Sequence, residues 1–281
     1  MAEGRVVRAL LLEHATVALS AAAVQPEAPV LVRFPHFLRG LGAVALLLAF
    51  SACATPPPVT EPEARAEFEA TNDRLEPLNR AIFTANEAAD TLLIRPAAEF
   101  YRLVLPEPLR DGVRNVLSNL RGTNILLHDL LQGEGERAAR TAERLIINTT
   151  LGLGGIFDVA ADHFDRPGHD EDFGQTLAVW GTQEGFYLVL PLLGPSNARD
   201  ALGFAVDTAL NPWTWIGQGP VVEGLRYGRT AATLLDARDR AIEPLDRVYE
   251  TSLDPYATLR SAYRQRREAA IRNQDSPGEG R

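Results

Sequence analysis

The chain has no lysine and only one cysteine, Cys53. A single cysteine excludes a disulfide within the chain and a metal site built from several thiolates. The 28 basic residues are all arginines, and with 37 acidic residues they give a formal net charge of −9. Binding to a nucleic acid backbone needs a basic surface. We therefore expect no nucleic-acid partner. The charge does not exclude lipid, which can be bound through apolar surface.

Long apolar runs are also scarce, and residues 41–50 form a run of about ten residues, where a membrane-spanning helix needs roughly 20. Arg33 and Arg39 precede this run, and Ser51-Ala52-Cys53 follows it. A basic segment, a short apolar core and small residues are typical of a secretory signal. Small residues before a cysteine also resemble a bacterial lipobox. We predict an N-terminal extension and lipoprotein signal peptide over 1–52, with lipid attached to Cys53; the alternative is a plain signal peptide with Cys53 incidental.

The segment after Cys53 is rich in proline, with Pro56, Pro57, Pro58 and Pro62. Such a segment is extended and does not pack into a core. We predict a lipidated tether over 53–70, a helical domain over 71–272 and a loose polar tail over 273–281.

Apolar residues in the body recur every three or four positions, which indicates amphipathic helices. We predict helices over Arg137–Thr149, Asp200–Leu210 and Val221–Val248, and we expect Pro244 to end or kink the last of these. Pro255 suits the first turn of a final helix. The one credible strand is Phe186–Leu190, so the predicted fold is a single, mainly α domain with at most a short strand or hairpin.

Two motifs invite a catalytic interpretation. Gly152-Leu153-Gly154-Gly155 lacks the spacing and the preceding strand of a nucleotide-binding loop, so we interpret it as a tight turn. Gly194–Ala198 lacks the last glycine of a nucleophile elbow. We predict that Ser196 is a helix N-cap, and we keep a hydrolase using Ser196 with His163 or His169 as an alternative.

Histidines and carboxylates are densest between His163 and Asp172, a composition that could hold a divalent cation. Pro167 and Gly168 mark a loop, however, and no helical histidine spacing fixes a ligand geometry. We expect a solvated acidic loop whose last residues favour the N-terminus of the next helix. The sequence therefore predicts no metal site, no cofactor and no enzymatic activity.

Several motifs occur in an order that resembles one known family. They are Asn72–Arg80 with Phe83 and Asn86, Arg144–Asp158, Asp172–Leu177, Leu190–Ser196 and Asp254-Pro255-Tyr256. From about Asn72 to Arg264 the chain resembles the MlaA/VacJ phospholipid-transport lipoproteins. Arg74 departs from the pattern, because the family usually has proline there.

The resemblance implies a ring-like body of amphipathic helices in the inner leaflet of the outer membrane, with a channel through it. It also implies removal of mislocalised phospholipid from the outer leaflet, which maintains lipid asymmetry. The implied partners are phospholipid, a trimeric outer-membrane porin and a periplasmic lipid-carrier protein. A passive structural lipoprotein is a further alternative.

We expect lipid contact from an early apolar region and interface anchoring from two tryptophans. Polar residues of the opening motif could orient head groups or brace the first helix. The candidate lipid-contact or channel residues are Asn79, Arg80, Phe83, Asn86, Phe100, Tyr101, Trp213 and Trp215; neighbouring apolar candidates are Ile82, Leu92, Leu93, Ile94, Leu103, Val104 and Leu105. The predicted motif turns contain Gly152, Gly154, Gly155, Asp158, Gly174 and Gln175.

Overall fold

The computed structural model describes residues 60, 61, 63, 71–212 and 219–274. These residues belong to one compact unit, residues 49–281. The predictions for the signal peptide, Cys53, Trp213, Trp215 and almost all of the tether lie outside the described residues.

Helix α1 is the segment Glu76–Ala89, with Pro77 in its first turn, where a missing N–H costs nothing. A π-helical turn, Asp90–Ile94, joins it directly to α2 (Arg95–Val104). The long helix α3 (Glu107–Gln132) follows, and it ends at Gly133 in the left-handed conformation with φ 78°. Helix α4 (Gly135–Thr150) packs back against α3.

Two short helices and a hairpin occupy the middle of the chain. They are α5 (Val159–Phe164), α6 (Phe173–Val179), β1 (Tyr187–Leu190) and β2 (Gly194–Asn197). The strands are antiparallel, with Tyr187 opposite Asn197 and Leu190 opposite Gly194. Helices α7 (Ala198–Leu210), α8 (Pro220–Thr251) and α9 (Pro255–Ile271) complete the described fold. Among the described residues, no helix combines the length and apolar character needed to cross a membrane.

The best-defined apolar core is small. Tyr187 and Val189 of β1 pack with Tyr256 of α9, and Ile82 and Phe83 of α1 lie against them. The Phe83 and Tyr256 rings meet edge to face, with centroids 5.5 Å apart. This core ties the hairpin to the first and last described helices.

The mainly α class, the helices and the single short hairpin are confirmed, while the ring shape stays a prediction. Two local predictions need correction. Pro244 lies inside the continuous helix α8, so it does not end the helix, and the alternative that it kinks the helix stays a prediction. Ser196 lies in β2, and the N-cap of α7 is its neighbour Asn197, whose side chain accepts a hydrogen bond from the Asp200 N–H at 2.8 Å.

Candidate functional site

The π-helical turn and α2 present a row of large apolar side chains to the surroundings. Leu103 is 81% exposed, Leu92 is 73% exposed and Phe100 is 65% exposed, and Leu93 and Val104 accompany them. The polar face of α2 turns inward, where Arg95 binds Asp246 at 2.7 Å and Arg102 binds Asp239 at 2.5 Å, both on α8. This arrangement reverses the usual orientation of a surface helix, whose apolar face covers the core. We call these five apolar residues the α2 surface.

Further apolar side chains are exposed elsewhere. Ile146, Leu151, Leu153 and Phe157 at the end of α4 and in the following turn are all more than half exposed, as are Val221, Leu225 and Tyr227 at the start of α8. Single exposed apolar residues are ordinary on a soluble protein, but groups of them mark contact with a membrane, a ligand or another protein.

A cavity of about 150 Å³ lies between α3 and α8 and is lined mainly by charged residues. Helix α3 contributes Arg114, Leu117, Ser118 and Arg121, and α8 contributes Arg229, Thr233, Asp236 and Arg240. Spacings of three and four residues place each set on one helix face. His169 and Asp170 close the lining. Four arginines against two aspartates make this cavity positive within an acidic chain. We call it the arginine cavity.

The polar candidates of α1 brace the hairpin. Asn79 is fully buried, donating to Asp73 at 2.8 Å and accepting from the Val189 N–H at 2.9 Å. Asn86 binds backbone groups of Leu190 and Leu192 on the same hairpin. Arg80 pairs with Glu76 and Asp254 at 2.7 Å each, and its guanidinium lies over the Tyr256 ring. The geometry favours the bracing interpretation for all three residues.

The apolar candidates separate into two groups. Leu92, Leu93, Phe100, Leu103 and Val104 form the exposed α2 surface. Ile82 and Phe83 instead pack on the small core, and Tyr101 is buried. Burial raises the pKa of Tyr101, and Asp236 and Asp239 raise it further. Phe83 and Tyr101 are therefore turned toward the protein interior. The sequence did not predict this, since periodicity alone does not say which face of a helix is covered.

The glycines between α4 and α5 form the predicted turn. Gly154 and Gly155 have φ values of 75° and 95°, and a Cβ on Gly155 would lie 2.6 Å from Asn119 Cβ. A Cβ on Gly152 would overlap the carbonyl oxygens of Asn148 and Phe157. Asp158 closes the turn, binding Arg144 and Asn148 at 2.9 Å each. This motif is a rigid, tightly packed corner.

Gly174 and Gln175 lie in the first turn of α6. A Cβ on Gly203 of α7 would lie 2.4 Å from the Gly174 nitrogen, so the two helices approach closely there. A Cβ on Gly174 would instead overlap the side chains of Arg267 and Asp200. Gln175 is buried and donates through Nε2 to the Asp170 carbonyl at 3.2 Å. Asp172 is the N-cap of α6, which agrees with the predicted acidic helix start.

The loop between α5 and α6 is not the solvated acidic loop that we expected, because two of its residues are buried. His169 Nε2 lies 2.8 Å from Asp129 Oδ1, and Glu171 lies 2.8 Å from Arg137. Burial raises the pKa of Glu171. Ligand atoms of Asp129, His169 and Glu171 come within 4.8 Å of one another. The Arg137 guanidinium supplies the positive charge between these carboxylates, so the cluster is explained as an ion-pair network.

Two of the proposed hydrolase residues, Ser196 and His169, are engaged with other partners. Ser196 is buried and its hydroxyl donates to the Asn197 carbonyl at 3.4 Å. Within the described residues, no hydrogen bond joins Ser196 to His163 or His169. The structure therefore gives no support to a serine–histidine catalytic pair.

Comparison with known proteins identifies the family. The model of the MlaA lipoprotein family matches residues 71–270. The chain belongs to the MlaA lipoprotein family. MlaA of Haemophilus influenzae, named an intermembrane phospholipid transport system lipoprotein, is 33% identical over 198 residues, covering 69% of this chain and 77% of that protein. MlaA of Escherichia coli K12, with the same name, is 33% identical over 204 residues, covering 69% and 76%. An uncharacterized Rickettsia bellii protein is 35% identical over 203 residues, covering 71% and 76%.

A solved structure shares the fold. It is described as the structural basis for maintenance of bacterial outer membrane lipid asymmetry. The TM-score is 0.62 at 29% identity, covering 71% of this chain and 98% of that chain. The predicted resemblance to MlaA is thereby confirmed.

Sequence reasoning missed the arginine cavity in this MlaA family member. The signal was available, because Arg114 and Arg121 lie seven residues apart on one helix, while Arg229 and Arg240 lie eleven apart on another. Both spacings return a side chain to the same helix face. The sequence does not show that these two helix faces, which are separated by about a hundred residues of chain, lie against each other in the fold.

Proposed function

We propose that this chain is a lipid-anchored component of intermembrane phospholipid transport. It removes mislocalised phospholipid from the outer leaflet of the outer membrane and passes it toward the periplasm. The observation that carries the proposal is the combination of an outward-facing apolar surface on α2 with a positive, arginine-lined cavity between α3 and α8.

A phospholipid needs both features. Its acyl chains need apolar surface, which the α2 surface and the exposed start of α8 supply. Its phosphate needs charged donors in a wet passage, because transfer of an unpaired charge through apolar surroundings is prohibitive. Arginine is suited to phosphate because its planar guanidinium donates two parallel hydrogen bonds.

The named relatives support phospholipid as the cargo and the outer membrane as the place. The MlaA proteins of H. influenzae and E. coli carry intermembrane phospholipid transport in their names, and the related structure concerns outer membrane lipid asymmetry. We propose by this likeness that the chain lies on the periplasmic side of the outer membrane, anchored at Cys53. Its proposed partners are a trimeric outer-membrane porin and a periplasmic lipid carrier.

Native mass spectrometry of the detergent-extracted full-length protein tests the anchor and the cargo together. We expect the mass of triacylated residues 53–281, with phospholipid copurified. Cys53→Ala should lose the acyl mass. Ser51→Ala, which exchanges one small residue for another two positions before Cys53, should retain the acyl mass. A chain without acyl mass or lipid would contradict the proposal and would favour a passive structural protein.

The hydrolase alternative is tested on the same sample. The transport proposal predicts that the protein releases no fatty acid from added phospholipid. Release of fatty acid that is lost in Ser196→Ala would establish the enzyme instead.

A further inference from the structure

The charges of the arginine cavity are not balanced by protein groups. Asp236 is shared by two arginines, with Arg114 and Arg240 each 3.3 Å from one of its carboxylate oxygens. Asp170 pairs with Arg121 at 3.0 Å. These two carboxylates are the acidic groups of the lining, and Asp111, outside the lining, pairs with Arg114 at 2.9 Å, so four arginines face three carboxylates.

Arg229 is the arginine that these pairs leave out. Its side chain is half-buried and lines the cavity from α8. Among the described residues, no carboxylate or hydrogen-bond acceptor contacts its guanidinium. The pKa of Arg229 is lowered, and loss of solvent on burial is the cause. Arg238, a buried arginine of the same helix, contrasts with it because it binds both oxygens of Asp90, at 2.6 and 2.7 Å.

A desolvated cation without a partner costs folding free energy. Arg229 therefore adds no stability to the folded chain that a neutral polar residue would not add. Its charge instead suits it to bind an anion that comes from outside the protein. The 150 Å³ of the cavity is well above the roughly 10–15 Å³ that one water needs, so a phosphate-sized group has room there.

We propose that Arg229, together with Arg121 and Arg240, binds the phosphodiester of a phospholipid head group in the arginine cavity. The inference rests on the proposed function, which supplies the lipid. Arg229 from α8 and Arg121 from α3 approach the phosphate from facing helices, while Arg240 shares its charge with Asp236. The diester is singly charged, which matches the one positive charge that Asp111, Asp170 and Asp236 leave uncompensated at Arg229.

Binding of a soluble lipid to the full-length chain in detergent tests this site. The probe is dihexanoyl phosphatidylglycerol below its micellar concentration, measured against a detergent blank. We expect Arg229→Gln to weaken binding about tenfold, because one charge-assisted hydrogen-bonding partner is lost. Arg229→Lys, which keeps the charge, should recover part of the loss. Arg247→Gln, an exposed change on the same helix away from the cavity, should bind as the unaltered chain does.

Two further probes identify the source of the phosphate. Dihexanoylglycerol, which has the acyl chains without phosphate, should bind Arg229→Gln and the unaltered chain equally. Inorganic phosphate should displace the lipid only at far higher concentration. Displacement at equal concentration would overturn the lipid assignment in favour of free phosphate.

The outcomes separate this site from the proposed function. Equal lipid binding by Arg229→Gln and the unaltered chain would overturn the phosphodiester site and leave transport standing. No lipid binding by the unaltered chain would contradict transport itself. Thermal unfolding guards against a folding artefact: Arg229→Gln should unfold at the same temperature as the unaltered chain or above it.

Discussion

The side chain of Asn79 accepts a hydrogen bond from the backbone N–H of Val189, 110 residues further along the chain, at 2.9 Å. Its amide nitrogen donates to the Tyr187 carbonyl at 3.2 Å and to Asp73 at 2.8 Å. One buried side chain thus satisfies two of the backbone groups that β1 turns toward α1. The hairpin, which has only two strands, depends on this support because two-stranded hairpins are marginal in water.

Asn79→Ala should therefore destabilise the protein by about 2–4 kcal/mol, because it leaves several buried polar groups without partners. Chemical denaturation followed by circular dichroism measures the change. Thr84→Ala, an exposed change on the same helix, should cost less than about 1 kcal/mol. Equal losses for the two variants would show that Asn79 is not a brace.

Asp172 gives stability a defined dependence on pH. Both of its oxygens accept hydrogen bonds from Arg267, at 2.6 Å each. Burial alone would raise the pKa of Asp172, but Arg267 and the Gln175 N–H lower it from 3.8 to about 2. Because the pKa of Asp172 is lower in the folded chain than in the unfolded chain, its ionised carboxylate stabilises the fold at any pH above the unfolded pKa. That stabilisation disappears as pH falls from about 4 to about 2.

Asp172→Asn keeps a good helix cap and removes the charge. We expect it to cost about 2 kcal/mol at pH 7, with the difference from the unaltered chain vanishing toward pH 2. Denaturation curves across this range measure it. Glu143→Gln, which removes an exposed pair with Arg166, should change stability by less than about 1 kcal/mol. A loss for Asp172→Asn that persists at pH 2 would contradict the ion-pair account.

Two glycines in the turn after α4 allow a comparison of two costs of adding a side chain: steric overlap at Gly152 and an unfavourable φ at Gly154. Gly152→Ala places a Cβ against two carbonyl oxygens, whereas Gly154→Ala meets nothing within 4 Å and costs only its positive φ. We expect about 1–2 kcal/mol of destabilisation for Gly154→Ala and clearly more for Gly152→Ala. Thermal unfolding measures both, and the reverse order would contradict the tight corner.

The α2 surface should contribute to membrane affinity independently of the lipid anchor. In a Cys53→Ala background, Leu103→Gln should reduce flotation with phospholipid vesicles roughly tenfold, because an exposed leucine loses its apolar burial in the bilayer. Leu253→Gln, at a leucine between α8 and α9 that is even more exposed than Leu103, is the control. An unchanged partition for Leu103→Gln would show that α2 does not enter the membrane interface.

Regular periodicity predicted the helices well. Helix α4 covers Gly135–Thr150, where the apolar repeat indicated Arg137–Thr149, and α9 begins at Pro255. The strand β2, by contrast, reads Gly-Pro-Ser-Asn, which contains no residue that favours strands. It is a strand only because β1 pairs with it, and this explains why the local sequence indicates a helix cap at Ser196 instead.

The functional surfaces were harder to predict because they depend on distant partners. His169 and Glu171 look solvated within their polar segment, yet Asp129 and Arg137, more than 30 residues earlier, bury them. Phe83 and Phe100 are both apolar residues of early helices, but only tertiary packing places one inside and the other outside. The arginine cavity exists only where α3 and α8 face each other.

The transport claim is tested most directly on intact cells lacking this chain. Phospholipid amines on the cell surface are labelled with a membrane-impermeant reagent, and the cells are complemented with the unaltered chain or with Cys53→Ala. We expect labelled phospholipid on the surface of cells without the chain and none on cells with the unaltered chain. Cells with Cys53→Ala should keep the labelled phospholipid. Surface labelling that is the same with and without the chain would contradict a role in removing outer-leaflet phospholipid.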